Sequence, residues 1–166
     1  RCRPAHFGTF LDFLRAAGCE VRTGTNVVRI RRDPSLPLKG GQEVFACAYP
    51  GFATDAAPLA AAVLLTADAP SRVYDGLFQN RFACAAGFAA LGADVCARGR
   101  ELHITGGAEL TGTVVSAPDL RGGAALVVAG LAASGKTCVL DEGHIRRGYQ
   151  SLTSELASLG AACRPA

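Results

Sequence analysis

Two aspartates and two arginines are the residues whose types and placement could do chemistry together. Asp55 follows Thr54 and Asp119 follows Pro118, each at the mouth of an Ala-rich apolar run; Arg121 lies just inside the second run, and Arg147 precedes Gly148. A carboxylate within hydrogen-bond reach of a hydroxyl can take its proton. Arginine's planar fork grips phosphate or carboxylate through two parallel hydrogen bonds. Two of each, gathered at loop ends, would make a site for a small polyanion. The competing use of the aspartates is structural: an N-cap Asp stabilises its helix by about 0.5–2 kcal/mol and needs no function. Arg121 weighs against that use alone, because a charge in an otherwise apolar helix is costly unless it is paired or faces a cleft.

A second stretch, GLAASGKT at residues 130–137, fits the phosphate-loop pattern G-x-x-x-x-G-K-[ST]. Such a loop leads from a strand into a helix whose N-terminus faces the anion. Here the order is reversed: Ala124 to Gly130 reads as helix and Thr137-Cys-Val-Leu140 as strand. We expect a helix C-cap at Gly135 and a tight turn. A P-loop-like nucleotide-binding module stays a rival reading, which a helix starting near Lys136 would revive. Seven cysteines, Cys2, Cys19, Cys47, Cys84, Cys96, Cys138 and Cys163, form no C-x-x-C pair and have no histidine at metal-ligand spacing. They read as small buried hydrophobes, with neither a disulfide framework nor a metal site expected.

The elements that must position these groups are written in repeats. Residues 10–21 (FLDFLRAAGCEV), 84–95 (CAAGFAALGADV) and 152–163 (LTSELASLGAAC) each run as an amphipathic segment to a glycine, Gly18, Gly92 or Gly160, and then to a short apolar stretch. Glycine just past the last turn is the expected helix stop. Val28-Arg-Ile30 and Leu102-His-Ile104 then recur 74 residues apart with strand alternation. A second helix type opens at Thr54-Asp55 and again at Pro118-Asp119, followed by strands at Arg72 to Tyr74 and Thr137 to Leu140; Asp75 and Asp141 are 66 residues apart. The unit is thus about 65 to 75 residues with two helices and about four strands. Its Ala-rich helices are apolar nearly all round, so they must lie inside with sheets covering them. The segment from Arg32 to Gln42 reads as a surface loop inside a unit.

The chain has one domain's length, 166 residues, and at 49% hydrophobic and 19% charged it is too apolar for disorder. The basic run Arg29, Arg31, Arg32 alternates with Val28 and Ile30 as the wet face of a strand, without the broad excess of charge that nucleic acid needs. The apolar runs Leu59 to Thr66 and Ala124 to Ala133 fall short of the roughly 18–20 residues of a membrane span, and no signal segment opens the chain. We expect a cytoplasmic protein. The absence of Met, with Arg1 first, suggests a fragment.

The run Tyr49-Pro-Gly-Phe-Ala-Thr-Asp55, then Leu77-Phe-Gln-Asn-Arg-Phe82, Ala117-Pro-Asp-Leu-Arg121, His144-Ile-Arg-Arg-Gly-Tyr149 and Leu159-Gly-Ala-Ala162 resembles, in collinear order over essentially the whole chain, the C-terminal half of the UDP-N-acetylglucosamine 1-carboxyvinyltransferases. The resemblance implies an α/β fold, an inside-out barrel of βαβαββ repeats with helices within and sheets outside. It implies transfer of the enolpyruvyl group from phosphoenolpyruvate to the 3-hydroxyl of UDP-N-acetylglucosamine, the first committed step of peptidoglycan synthesis. No cofactor or metal is implied. Asp55 would be the general base at the sugar hydroxyl. Leu77 and Phe78 would line the UDP-sugar site, Arg121 and Arg147 would hold the phosphate and carboxylate of phosphoenolpyruvate, and Asp119 would orient these arginines. Where the family usually has Thr, Ser, Gln and Glu, this chain has Pro118, Gly122-Gly123, Ala56-Ala57-Pro58 and Gln79.

The family's other domain supplies a Lys-Asn pair, a further Arg and a loop Cys that acts as acid, none of which has a match here. We therefore expect residues 1–166 to be a single domain lacking its N-terminal partner domain and its opening strands, and inactive alone. A non-catalytic paralogue or orphan domain is the alternative, which in-frame coding sequence upstream of Arg1 would discriminate. No nucleic acid or membrane partner is expected.

Overall fold

The computed structural model describes residues 2–165. In chain order the elements are α1 (Gly8–Ala16), β1 (Glu20–Thr23), β2 (Val28–Arg31), β3 (Glu43–Ala46), α2 (Ala57–Leu64), β4 (Ser71–Asp75), α3 (Ala85–Ala90), β5 (Val95–Arg98), β6 (Glu101–Ile104), β7 (Val114–Ser116), α4 (Leu120–Ala132), β8 (Cys138–Leu140) and α5 (Leu152–Ser158). Single 3-10 turns occupy Pro4–Phe7, Thr54–Ala56 and Ile145–Arg147.

The repeated glycines stop their helices in one way. Gly18, Gly92 and Gly160 sit at φ of +92°, +99° and +95°, a left-handed conformation that costs any residue with a Cβ. After each, the next amide reaches back five residues: Cys19 N–H to Leu14 O, Ala93 N–H to Phe88 O, and Ala161 N–H to Leu156 O. This is the Schellman closure, which satisfies carbonyls that the helix end would leave bare.

Strand pairing shows where one unit begins and ends. β3 and β4 pair in parallel across α2, β4 pairs antiparallel with β6, and β5–β6 is a hairpin, so the sheet order is β3-β4-β6-β5. Residues 43–104 are therefore one full βαβαββ unit. β7-α4-β8, a parallel pair followed by α5, repeats its head. α1 and the antiparallel hairpin β1–β2 repeat its tail.

The helices lie inside, as their composition requires. Ala57, Pro58, Ala60, Ala61, Ala62 and Leu64 of α2 are buried, as are Gly122 to Leu126 and Ala129 of α4, and the two helices pack on each other. The central sheet covers them with one face: Ser71, Val73 and Asp75 of β4 and Leu102 and Ile104 of β6 point in, while Arg72 and Tyr74 point out and Phe45 stacks on Tyr74 at 5.0 Å. Burial of Val73, Leu64, Leu65, Phe88, Leu91, Leu102 and Leu126 supplies the main driving force, roughly 1.5–3 kcal/mol for each side chain removed from water.

Several expectations need correction. α4 runs to Ala132 with Ala133 as its C-cap, so Gly135, at φ +80°, belongs to the turn beyond. The strand expected after Lys136 is present as β8, so residues 130–137 lack the helix N-terminus of a phosphate loop and the rival nucleotide-binding reading falls. Of the seven cysteines only Cys84 is buried; Cys96 is exposed and the others are intermediate. Arg29 and Arg31 do occupy a wet face with Glu20 and Arg22, but Ile30 opposite them is 48% exposed. Arg147 lies in the separate turn Ile145–Arg147, and α5 starts at Leu152.

Candidate active site

The duplicated aspartates are put to different uses. Asp119 has extended backbone, φ −162°, and its Oδ1 accepts from the amides of Arg121 and Gly122 at 2.8 Å each. It is the N-cap of α4, satisfying two amides that have no partner within the helix. Asp55 caps nothing. The 3-10 turn Thr54–Ala56 leads into α2, whose first turn contains Pro58, and no side chain caps that helix. The Asp55 carboxylate is left 57% exposed.

α4 then delivers Arg121 to it. With Asp119 fixing the first turn, the Arg121 side chain crosses to Asp55, and its Nη2 donates to Oδ2 at 2.6 Å. The partner that a charge in an apolar helix requires is therefore an aspartate 66 residues away in sequence. This hydrogen bond holds the Asp55 carboxyl below its ordinary range; partial burial opposes it, and the charges of Arg121 and Arg81 add to the lowering. The same bond is the main cause that raises Arg121. In an open setting the pair contributes up to about 1 kcal/mol to stability, so its geometry matters more to chemistry than to folding.

The second oxygen of Asp55 faces another arginine. Arg81 places Nη2 3.6 Å from Asp55 Oδ1 and its Nε 3.0 Å from Oδ2 of Asp75. Asp75, at the end of β4, is fully buried, and its Oδ1 accepts from the amides of Leu77 and Phe78 at 2.8 Å each. Arg81 Cζ lies 4.2 Å from the centroid of the Phe78 ring, a cation–π contact. Leu77 and Phe78 project from this pinned loop, both exposed.

The sequence-derived site residues thus fall into three groups. Asp55 and Arg121 are in direct contact, and Leu77 and Phe78 join them through Arg81. Asp119 sets Arg121 by its backbone, but its carboxylate is spent on the cap, and among the described residues it makes no hydrogen bond to Arg147. Arg147 is exposed and tied to His144, with Nη2 3.2 Å from Nδ1. Its loop approaches the site nonetheless: Ile145 packs on the start of α4, and Tyr149 lies within electrostatic reach of Arg121. Sequence reasoning missed Arg81 and Asp75, although the signal was there. Asp75-x5-Arg81 recurs as Asp141-x5-Arg147 inside the repeat already recognised.

Two departures from the family pattern fit this local packing. A Cβ on Gly122 would come within 2.9 Å of Pro118 Cγ, and one on Gly123 within 2.8 Å of Ala117 Cβ and Ile145 Cγ1. The small pair lets Pro118 and the turn bearing Arg147 close on α4. Cys84, next to this contact, has its thiol pushed up to about 12, chiefly by burial, and is no nucleophile.

Known proteins share the sequence pattern and the fold. The family model described as EPSP synthase (3-phosphoshikimate 1-carboxyvinyltransferase) matches residues 2–156. The UDP-N-acetylglucosamine 1-carboxyvinyltransferase 2 of Caldanaerobacter subterraneus is 40% identical over 159 residues, covering 94% of this chain and 37% of that protein. The UDP-N-acetylglucosamine 1-carboxyvinyltransferase of Sorangium cellulosum is 40% identical over 149 residues, covering 89% and 35%. The chain therefore spans little more than a third of the length of these relatives. Among solved structures, the enolpyruvyl transferase NikO from Streptomyces tendae superposes with a TM-score of 0.85 at 29% identity, over 95% of this chain and 36% of that one. An EPSP synthase from Acinetobacter baumannii, at 18% identity and a TM-score of 0.59 over 81% of this chain and 32% of that one, shares the fold.

Proposed function

The chain belongs to the EPSP synthase family of enolpyruvyl transferases, and from that premise we propose that it is part of an enzyme that moves the enolpyruvyl group of phosphoenolpyruvate to the 3-hydroxyl of UDP-N-acetylglucosamine, releasing phosphate. The acceptor is drawn from relatives bearing that name at 40% identity. The reaction would serve peptidoglycan synthesis in the cytoplasm. The observation that carries the reading is the Asp55–Arg121 contact at 2.6 Å: a carboxylate released from capping, exposed, and held against a guanidinium from the equivalent helix of the next repeat.

In this reading Asp55 takes the hydroxyl proton as the sugar oxygen attacks C2 of phosphoenolpyruvate, the carbon that bears the phosphate, while the methylene carbon gains a proton; loss of phosphate and of a methyl proton then leaves the enol ether. Oδ1 is the oxygen available, because Oδ2 is engaged by Arg121 while Arg81 stands 3.6 Å from Oδ1. Arg121 and Arg147 hold the phosphate and carboxylate of phosphoenolpyruvate and stabilise charge as the tetrahedral intermediate forms and collapses. Leu77 and Phe78 offer exposed apolar surface to the nucleotide-sugar. Asp119 acts as the anchor of α4 that aims Arg121. The proton gained by the methylene carbon is assigned to no residue of this chain.

The test is the protein expressed from the complete reading frame, assayed for phosphate release with both substrates and with each omitted. Release that requires both supports the reading. Inactivity in a folded protein that binds neither substrate overturns it, and binding without turnover would mark a non-catalytic relative that keeps the fold.

A further inference from the structure

Asp75 belongs to none of the roles above, yet it is the only fully buried carboxylate among the described residues. A carboxylate out of water is costly unless it is paired with a cation and its oxygens accept hydrogen bonds. Asp75 finds both on one short stretch of chain: Oδ1 accepts from the amides of Leu77 and Phe78, and Oδ2 accepts from Arg81 Nε. Arg81 is itself only 11% exposed, lies against the Phe78 ring, and extends its remaining nitrogens toward Asp55. One buried group thus sets the direction of the two residues offered to the nucleotide-sugar and of the guanidinium beside the base.

We propose that Asp75 is a positioning residue of the transfer reaction: it orients Arg81 against Oδ1 of Asp55 and fixes Leu77 and Phe78 at the acceptor site. The inference rests on the proposed function for its reaction but not for its geometry. The chain's own repeat supplies a control. Asp141 stands at the corresponding end of β8 and, among the described residues, accepts only from the Ile145 amide, at 3.1 Å; Arg147, six residues on like Arg81, is turned to His144 instead. The Asp-x5-Arg spacing alone therefore does not lock the arginine. Burial of the aspartate and the pair of amides on its other oxygen accompany the lock.

The discriminating variant is Asp75→Asn. An amide can still accept from Leu77 and Phe78, but it then presents its NH2 to Arg81 Nε, donor against donor. In the protein from the complete reading frame, Asp75→Asn is expected to raise KM for UDP-N-acetylglucosamine and lower kcat, together by about 10- to 100-fold in kcat/KM, the scale of a misplacement of about 1 Å. Arg81→Lys keeps the charge but loses the fork, and is expected to lower kcat with the fold intact; it serves if Asp75→Asn does not fold. The double variant should lose no more than the worse single one, because both act through one guanidinium. A second readout does not depend on turnover: the Arg81 Nε–H resonance, protected by a buried carboxylate, should vanish in Asp75→Asn. Constants within twofold of wild type in a folded Asp75→Asn protein, multiplicative losses in the double variant, or a persisting Nε–H resonance would each overturn the proposal. If the wild type releases no phosphate, the functional reading fails, while the resonance still decides the positioning.

Discussion

The halves β3-α2-β4 and β7-α4-β8 share topology, parallel pairing and residue spacing, yet their charged groups are spent differently. In the second half Asp119 closes the helix start with two 2.8 Å hydrogen bonds. In the first half a 3-10 turn and Pro58 take over the helix entry, and Asp55 is released. At the other end of each half the difference is reversed. Asp75 is buried and holds Arg81, whereas Asp141 is half-buried and leaves Arg147 exposed. Duplication supplied two copies of each group; the proposed site takes the free aspartate of one half and the arginine at the capped start of the other half's helix. A polar residue in a repeat can be used for chemistry where its neighbours have relieved it of its structural duty.

This division can be broken by matched substitutions. Asp55→Asn should lower turnover by about 10²- to 10⁴-fold, the worth of a positioned general base, while urea unfolding moves little. Asp119→Asn should keep most of the activity, because Asn caps a helix as well as Asp. Equal losses in the two assays would erase the distinction between them. Arg81→Ala leaves the buried Asp75 without its cation and should cost about 3 kcal/mol, the low end for a broken buried pair because two amides still satisfy Oδ1. Arg147→Ala, in the equivalent but open position, should stay within about 0.5 kcal/mol of wild type. Similar unfolding midpoints for those two would show that Asp75–Arg81 is no more a lock than Asp141–Arg147. Next in size, Asp119→Ala should lower stability by about 1–2 kcal/mol through the lost cap.

Much of this was legible in the residues. The three helix-stop glycines, the 74-residue strand offset and the all-round apolar helices lead to the repeat and to its inside-out packing, because each reflects a local rule that neighbours cannot easily override. Asp55 and Arg121 were legible as a charge needing a partner. What could not be read was which aspartate would be consumed by its helix: Thr54-Asp55 and Pro118-Asp119 look alike until the backbone at Asp119 extends and that at Asp55 turns. Arg81 was hidden for a related reason. Its value comes from Asp75, whose burial depends on β4 turning Ser71, Val73 and Asp75 alike toward the helices. The separate turn at Ile145–Arg147 was equally hidden, since Tyr149, Leu152 and Leu156 keep helical spacing across a break that the spacing does not reveal.

A last, small effect probes the contact between the halves itself. Arg121 is the first cause of the lowered Asp55 carboxyl, so Arg121→Ala should raise the Asp55 titration toward the ordinary value of about 3.9, followed through its carboxyl carbon resonance. The sign for stability follows from that direction. A carboxyl depressed in the folded state contributes stability that is full above its unfolded pKa and is lost as pH falls through its folded pKa. Wild type should therefore exceed Arg121→Ala in stability at neutral pH by no more than about 1 kcal/mol, since Asp55 is open to solvent. The gap should close in acid. Asp119 offers the contrast: its carboxylate meets Arg121 through the main-chain amide, which Arg121→Ala keeps, so the cap should persist and the far-ultraviolet spectrum of the variant should match wild type. An Asp55 titration that stays where it was in Arg121→Ala would mean that the two halves touch at this point without being coupled, and the free aspartate would then owe its state to Arg81 and its own half alone.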